Sequence, residues 1–217
     1  MLGKPAITPE ERRFKGDTLV LASHNAGKVA EFQTLFTPYK ITVKSAAALE
    51  LPEPDEDGLT FAENALIKSR SAAEISGLPA LADDSGLCVH ALNGDPGIYS
   101  ARWAQPGKDF NRAMEKVWQT LRQSGSVDTR AEFVCALALS YPGTHLSELH
   151  VGVLRGHIVW PPRGNAGFGY DPIFVPEGYT ETLAELGAAV KDTISHRARA
   201  FEKLAALCFA HRRVVVS

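Results

Sequence analysis

Apolar and polar positions recur along this chain with two different periods. Thr18-Leu-Val-Leu-Ala22 is a short β-rich run that ends at the glycine-containing turn His24-Asn-Ala-Gly27. From Lys28 to about Phe36 the period becomes helical, with Val29, Phe32 and Phe36 on one face, and Pro38 stops it. Ile41-Thr-Val43 reads as a second strand, and 45–58 as a proline- and acid-rich loop. Thr60-Phe-Ala-Glu63 is a capping-box pattern that opens a helix to about Ser76, where Gly77 and Pro79 end it. Ala80-Leu-Ala82 and Leu87–Leu92 are apolar runs interrupted by Asp83-Asp84-Ser85-Gly86, which places that quartet at a strand end or hairpin. Residues 109–123 alternate at helical spacing, and Glu132–Tyr141 and His150–Trp160 read as long strands. A glycine-rich loop follows at 164–170, and Ser195 caps a last helix with Ala198, Phe201, Leu204 and Cys208 on one face. The order β-α-β, α, β-rich, α predicts a mixed α/β (α+β) core without repeats or a linker between independent domains.

Composition narrows the functional classes. The 217 residues are 45% apolar and 22% charged, a globular mixture. Lys plus Arg (23) nearly balances Asp plus Glu (25), so the basic excess of a nucleic-acid or membrane-surface binder is absent. No apolar run approaches the ~18 residues of a membrane span, and the first residues hold no signal-peptide core. Cys88, Cys135 and Cys208 are odd in number and widely spaced, which argues against a disulfide framework or a zinc site. The expectation is a soluble, reduced, cytoplasmic protein. Charge is nevertheless asymmetric: residues 50–95 carry ten acids against two bases, and residues 191–217 carry six bases against two acids. Two solvated faces produce that pattern, and so does a site with a metal-binding side and an anion-binding side.

Four polar constellations are candidates for chemistry. Ser23-His24-Asn25-Ala26-Gly27-Lys28 joins strand to helix, where backbone N–H groups and the helix dipole favour an anion. An ordinary tight connection has the same pattern, and the Walker A spacing is missing. In Asp83-Asp84-Ser85 two adjacent acids between apolar runs call for a cation or a basic partner, unless one of them simply caps a turn. Oxygen-only ligation suits Mg²⁺, with Glu56 or a neighbour in the acidic loop as the second carboxylate. Phe168, Gly169, Tyr170 and Asp171 place two aromatics in a glycine-rich loop, as stacking on a planar ligand needs and as a core-anchored hairpin also allows. Lys191, His196 and Arg197 bring cations to a helix start, where the macrodipole opposes them; an anionic or carbonyl-bearing ligand would supply the reason.

Taken in this order, the four resemble the inosine triphosphate pyrophosphatase family, from about Thr18 to Leu207. The likeness rests on Leu21-Ala-Ser-His-Asn-Ala-Gly-Lys28, Gly58-Leu-Thr-Phe-Ala-Glu-Asn-Ala65, Ala82-Asp-Asp-Ser-Gly-Leu87, Pro96-Gly-Ile-Tyr-Ser-Ala-Arg102, Gly167-Phe-Gly-Tyr-Asp-Pro172 and Ile194-Ser-His-Arg197. His24 departs from it, since many members carry glycine or another small residue there, and Ser23 stands for the common threonine. Residues 1–17 fall outside the likeness and read as a flexible extension of a single domain, 18–217.

The resemblance implies an elongated fold with a long central mixed sheet, flanking helices and two lobes around a nucleotide cleft, usually as a homodimer. It implies Mg²⁺-dependent hydrolysis of ITP, dITP and XTP to the monophosphate and pyrophosphate. Asp84 matches the general base, and with Glu56 would hold the metal. The turn Ser23–Lys28 and Lys191 would hold the phosphates, and Ser85 would contact the substrate. Phe168 and Tyr170 would contact the base, with Gly169 between them; His196 and Arg197 would donate to its 6-oxo group, and Asp171 would accept from the base. A metal-dependent phosphohydrolase that releases orthophosphate, or a nucleotide-binding module without catalysis, are the alternatives.

Overall fold

The structure is a computed structural model that describes residues 8–214. Its elements, in chain order, are α1 (Pro9–Arg12), β1 (Thr18–Leu21), α2 (Ala26–Phe36), β2 (Thr42–Ser45), α3 (Phe61–Ser76), β3 (Ala80–Val89), α4 (Ser100–Trp103) and α5 (Phe110–Gln123). They continue with β4 (Arg130–Ser140), β5 (Ser147–Ile158), β6 (Phe174–Pro176), α6 (Leu183–Ile194) and α7 (His196–Cys208). The strands form one mixed sheet in the order β2-β1-β3-β4-β5-β6, parallel among β1, β2 and β3 and antiparallel from β3 onward.

The polar quartet Asp83–Gly86 is not a turn. It lies inside the ten-residue central strand β3, in register with Leu137 to Val134 of β4. Aspartate disfavours strand interiors, but here each carboxylate has partners on its own face of the sheet, and those contacts override the local preference. On one face α3 covers Ala80 together with Ala136 and Ala138 of β4. On the other, α2 and α7 pack over Leu81, Leu137 and Leu139.

The long strands carry two cores, one toward each end. Leu19, Leu21, Leu81, Phe32, Phe36, Phe201, Leu204 and Phe209 form one core. Leu87, Val89, Met114, Val117, Phe133, Leu154 and Phe174 form the other. Asp83, Asp84 and Ser85 fall between Leu81 and Leu87, hence between the two lobes. Strand β1 stops beside this point: Leu21 pairs with Leu81, and the Ala22 N–H donates to the Leu81 carbonyl at 2.7 Å. The turn that leaves β1 is thereby delivered next to the two acids, at the carboxyl ends of parallel strands, where open α/β sheets bind ligands.

Several boundaries differ from the sequence expectation. Helix α2 begins at Ala26, because Asn25 is its N-cap and accepts from the Lys28 N–H at 3.2 Å. The capping box at Thr60 is only half formed: Thr60 accepts from the Glu63 N–H, but Glu63 turns to the Leu59 N–H. The short β6 and the helix α6 carried too little periodicity to be anticipated. Of the expected flexible extension, residues 1–7 lie outside the described residues. The part that follows is not loose: Phe14 is fully buried, rings edge to face with Phe209 at 5.5 Å, and Arg12 pairs with Glu148 at 3.5 Å. Burying an aromatic outweighs the ordering of a few residues.

The start of α7 sits directly on Gly152 of β5. A Cβ there would lie 2.0 Å from the His196 carbonyl oxygen and 2.5 Å from the Ala200 nitrogen. Gly152→Ala must push α7 off the sheet, and is expected to cost about 1–3 kcal/mol of unfolding free energy. Urea denaturation against wild type measures it; an unchanged midpoint would show that α7 is not seated this way.

Candidate active site

A cleft of about 360 Å³ opens between the lobes, within the range of small-molecule sites. Every side chain singled out from the sequence lines it except Ala26 and Gly27. Those two lie in the first turn of α2, and Gly27 serves another purpose. A Cβ on it would lie 2.9 Å from the ring of Phe168, so the glycine lets the aromatic loop close over the helix start.

The pleat of β3 separates the two acids. Asp84 points to the α3 side, where its Oδ2 accepts from Asn64 at 3.1 Å and its Oδ1 lies 3.4 Å from Lys68 Nζ. Burial pushes its carboxyl above the ordinary 3.8, with the Lys68 and Lys28 charges opposing the shift and Glu56 adding to it. Lys68 Nζ also meets Glu56 Oε1 at 2.5 Å. Its burial works against the charge, but Asp84, Asp83 and Glu56 prevail and hold the ammonium protonated. Lys68 escaped the sequence reading. The available signal was its spacing from Asn64, one helical turn along the face of α3 turned to the acids.

Asp83 points the other way and caps no turn. Burial alone would raise its carboxyl, yet the Lys28 ammonium and the Arg197 guanidinium prevail and hold it well below the ordinary carboxylate range. Lys28 Nζ lies 3.0 Å from its Oδ2, Arg197 Nη2 donates to the same oxygen at 2.9 Å, and Ser85 Oγ donates to it at 3.0 Å. Arg197 also pairs through Nη1 with Glu31 of α2, and through Nη2 with Ser85 Oγ at 3.0 Å. Glu31 is a second residue the sequence reading missed; nothing local distinguishes it from a solvated helix acid.

These contacts revise four expected roles. Arg197 is 1% exposed and its terminal nitrogens are engaged by Asp83, Ser85 and Glu31, so it serves as an internal counter-ion. The unfavourable cation at the start of α7 is explained by these acids instead of a ligand. Lys191 is held between Asp171 Oδ2 (2.6 Å) and Glu31 Oε1 (3.0 Å), with its ammonium 4.1 Å from the centre of the Phe168 ring. It braces the aromatic loop. Asp171 likewise takes the Phe168 N–H at 2.9 Å; burial raises its carboxyl and Lys191 offsets part of that. Tyr170 is buried, its hydroxyl donating to the Ser100 carbonyl at 2.8 Å, so it anchors the loop while the half-buried Phe168 is the aromatic that can stack.

His196 remains available. Its ring stacks on Phe133 at 5.0 Å, and its buried Nδ1 has no protein partner among the described residues. Burial, helped by the charges of Arg197 and Lys191, holds it well below its ordinary pKa, so the imidazole is neutral.

The model of the Ham1 family matches residues 19–207. A dITP/XTP pyrophosphatase of Rhodospirillum centenum is 56% identical over 92% of this chain and 98% of its own length. One from Zymomonas mobilis is 52% identical over 92% and 95%. Among solved structures, a HAM1 protein from Coxiella burnetii superposes with a TM-score of 0.81, at 42% identity over 87% of this chain and 96% of that one.

Removing Arg197 leaves Asp83 and Glu31 buried without their counter-ion. Arg197→Met is expected to lower the unfolding free energy by about 3–5 kcal/mol. Because Asp83 has its folded pKa depressed, its share is present above the ordinary 3.8 and lost as pH falls below it. Denaturant titrations at neutral pH and near pH 3 should therefore show the wild-type advantage shrinking in acid; an equal gap at both would disprove the pairing.

Proposed function

The chain belongs to the Ham1 family, and on that premise we propose that it hydrolyses deaminated purine nucleoside triphosphates (ITP, dITP and XTP) to the monophosphate and pyrophosphate. The observation that carries this reading is one cleft holding a carboxylate pair, a phosphate-type helix turn, and an aromatic beside a neutral donor.

Asp84 and Glu56 converge on the ammonium of Lys68, so the protein already places a cation between them. Among the described residues no group of three His, Cys, Asp or Glu forms a metal cage. Two carboxylates with room for water and phosphate fit Mg²⁺, which binds through one or two carboxylates plus substrate oxygens. Bound there by Asp84 and Glu56, Mg²⁺ would neutralise triphosphate charge and act as a Lewis acid.

The remaining work falls to side chains of this chain. Asn64 fixes Asp84 through Oδ2, and the burial that raises its carboxyl makes Asp84 a stronger proton acceptor for an attacking water. Lys28, with the N-cap turn around Asn25, faces the phosphates, and Lys68 supplies a second cation. Phe168 offers a face to the base, worth about 1–3 kcal/mol per stacked base. Neutral His196 can donate to a 6-oxo group; the amino group of adenine would leave that donor unpaired. Arg197 acts through Asp83, holding Lys28 in place. No helix among the described residues is long and apolar enough to cross a membrane. The cytoplasmic location and the homodimer belong to the same proposal, with 18–217 as its single domain; sedimentation equilibrium tests the dimer.

Asp84→Asn should keep the fold and lose about 10²–10⁴-fold in kcat, more where metal binding also suffers. In wild type, kcat/KM should fall in acid with a midpoint above the ordinary aspartate value of 3.8, since protonated Asp84 cannot accept a proton. Product analysis settles the reaction class: orthophosphate instead of IMP and pyrophosphate, or binding without turnover, would overturn the assignment. Lys28→Ala should weaken ITP, dITP and XTP alike, and a loss confined to one base would contradict its placement at phosphate.

A further inference from the structure

The loop that carries Glu56 has almost no backbone support. Among the described residues, no backbone–backbone hydrogen bond involves residues 52–57. Side chains hold it instead, and they act at its two ends. At the far end Arg102 Nη2 donates to the Glu56 carbonyl at 2.8 Å, and Asn64 Oδ1 accepts from the Gly58 N–H at 2.9 Å. At the near end the contact comes from the β1–α2 turn. His24 Nε2 lies 3.0 Å from the Leu51 carbonyl oxygen, and its Nδ1 lies 3.1 Å from Glu53 Oε1.

His24 was expected to line the phosphate turn as a substrate contact. Its ring lines the cleft but reaches, across 27 residues of sequence, onto this loop. Both of its acceptors, a carbonyl and a carboxylate, lack a proton to give. A ring N–H given to either acceptor ties the turn to the loop.

We propose that His24 is a positioning residue that latches the acidic loop 51–57 to the phosphate turn and so sets where Glu56 stands relative to Asp84. The proposal rests on the functional reading above, in which Glu56 and Asp84 together hold a divalent cation. Its physical content is separate. Both carboxylates must present oxygens to one ion, and Asp84 is fixed by a rigid central strand while Glu56 hangs on a loop. Releasing one end of that loop widens the range of Glu56 positions, so the ion binds only after an ordering step. The cost appears in metal requirement and turnover, and is the same for every base, because the latch acts on the carboxylate that holds the ion and not on the base.

Four variants test it: His24→Ala, Glu53→Ala, the pair together, and His24→Gln as the conservative replacement that keeps one donor. The first readout needs no catalysis. A glutamate-specific protease should cut the substrate-free His24→Ala protein within 50–57 about 3- to 10-fold faster than wild type, because cleavage follows the opened fraction of the loop. His24→Gln should recover part of the protection. The second readout is the Mg²⁺ concentration for half-maximal pyrophosphate release, which should rise about 3- to 10-fold in His24→Ala and equally for ITP, dITP and XTP. The double variant should be little worse than His24→Ala, since both single changes break one latch. Unchanged proteolysis, strictly additive effects, or a defect confined to one base would each overturn the latch. A wild-type protein that releases no pyrophosphate would instead sink the functional reading, with the proteolysis series still deciding the latch.

Discussion

A carboxylate buried in the middle of the central strand must be neutralised, and the way this chain neutralises Asp83 organises the whole cleft. Lys28 and Arg197 meet it directly. Arg197 also binds Glu31, Glu31 binds Lys191, and Lys191 binds Asp171. The result is a run of alternating charges, Lys28–Asp83–Arg197–Glu31–Lys191–Asp171, that ties α2, β3, α6, α7 and the aromatic loop to one another. Such a network is costly to desolvate and contributes little net stability over an apolar packing, but cutting it is expensive. Its use here is placement: the elements on the two sides of the cleft are held to one another by one chain of ion pairs.

Adjacent acids then take opposite tasks because a strand sends neighbours to opposite faces. Asp83 is surrounded by cations and held well below the ordinary range, which makes it inert to protons near neutrality. Asp84 is buried against one amide and one shared ammonium and is raised instead. Environments that drive two carboxyls apart are the usual mark of a division between structural and proton-transfer roles. His196 follows the same logic with opposite sign: burial and the neighbouring cations hold it well below its ordinary pKa and leave a neutral ring.

The cleft itself arises from where the apolar residues stop. Leu81 belongs to one core and Leu87 to the other. The polar triplet between them lies where neither core closes over β3. Gly152 and Gly27 complete the fit by letting α7 approach the sheet and Phe168 approach α2.

Much of this was legible in the chain alone. The order of most elements, the Asn25 turn and the caps at Thr60 and Ser195 follow from local periodicity and capping chemistry, and the grouping of Asp84, Glu56, Lys28, Phe168 and His196 was implied by the family resemblance of their motifs. These are properties of neighbouring residues, which a sequence displays directly. What it could not display were partners. Asp83-Asp84-Ser85-Gly86 has the composition of a turn, and only contacts from residues 28, 68 and 197 make it the interior of a strand. Arg197 and Lys191 read as cations awaiting a ligand, because Glu31, more than 150 residues away, has nothing in its surroundings to mark it as their counter-ion. Phe14 read as part of a loose extension, since its ring partner Phe209 lies at the other end of the chain. Local pattern decides which element a residue joins; which charge neutralises which is decided by the sheet that brings distant segments within a few ångströms, where burial makes every unpaired charge costly.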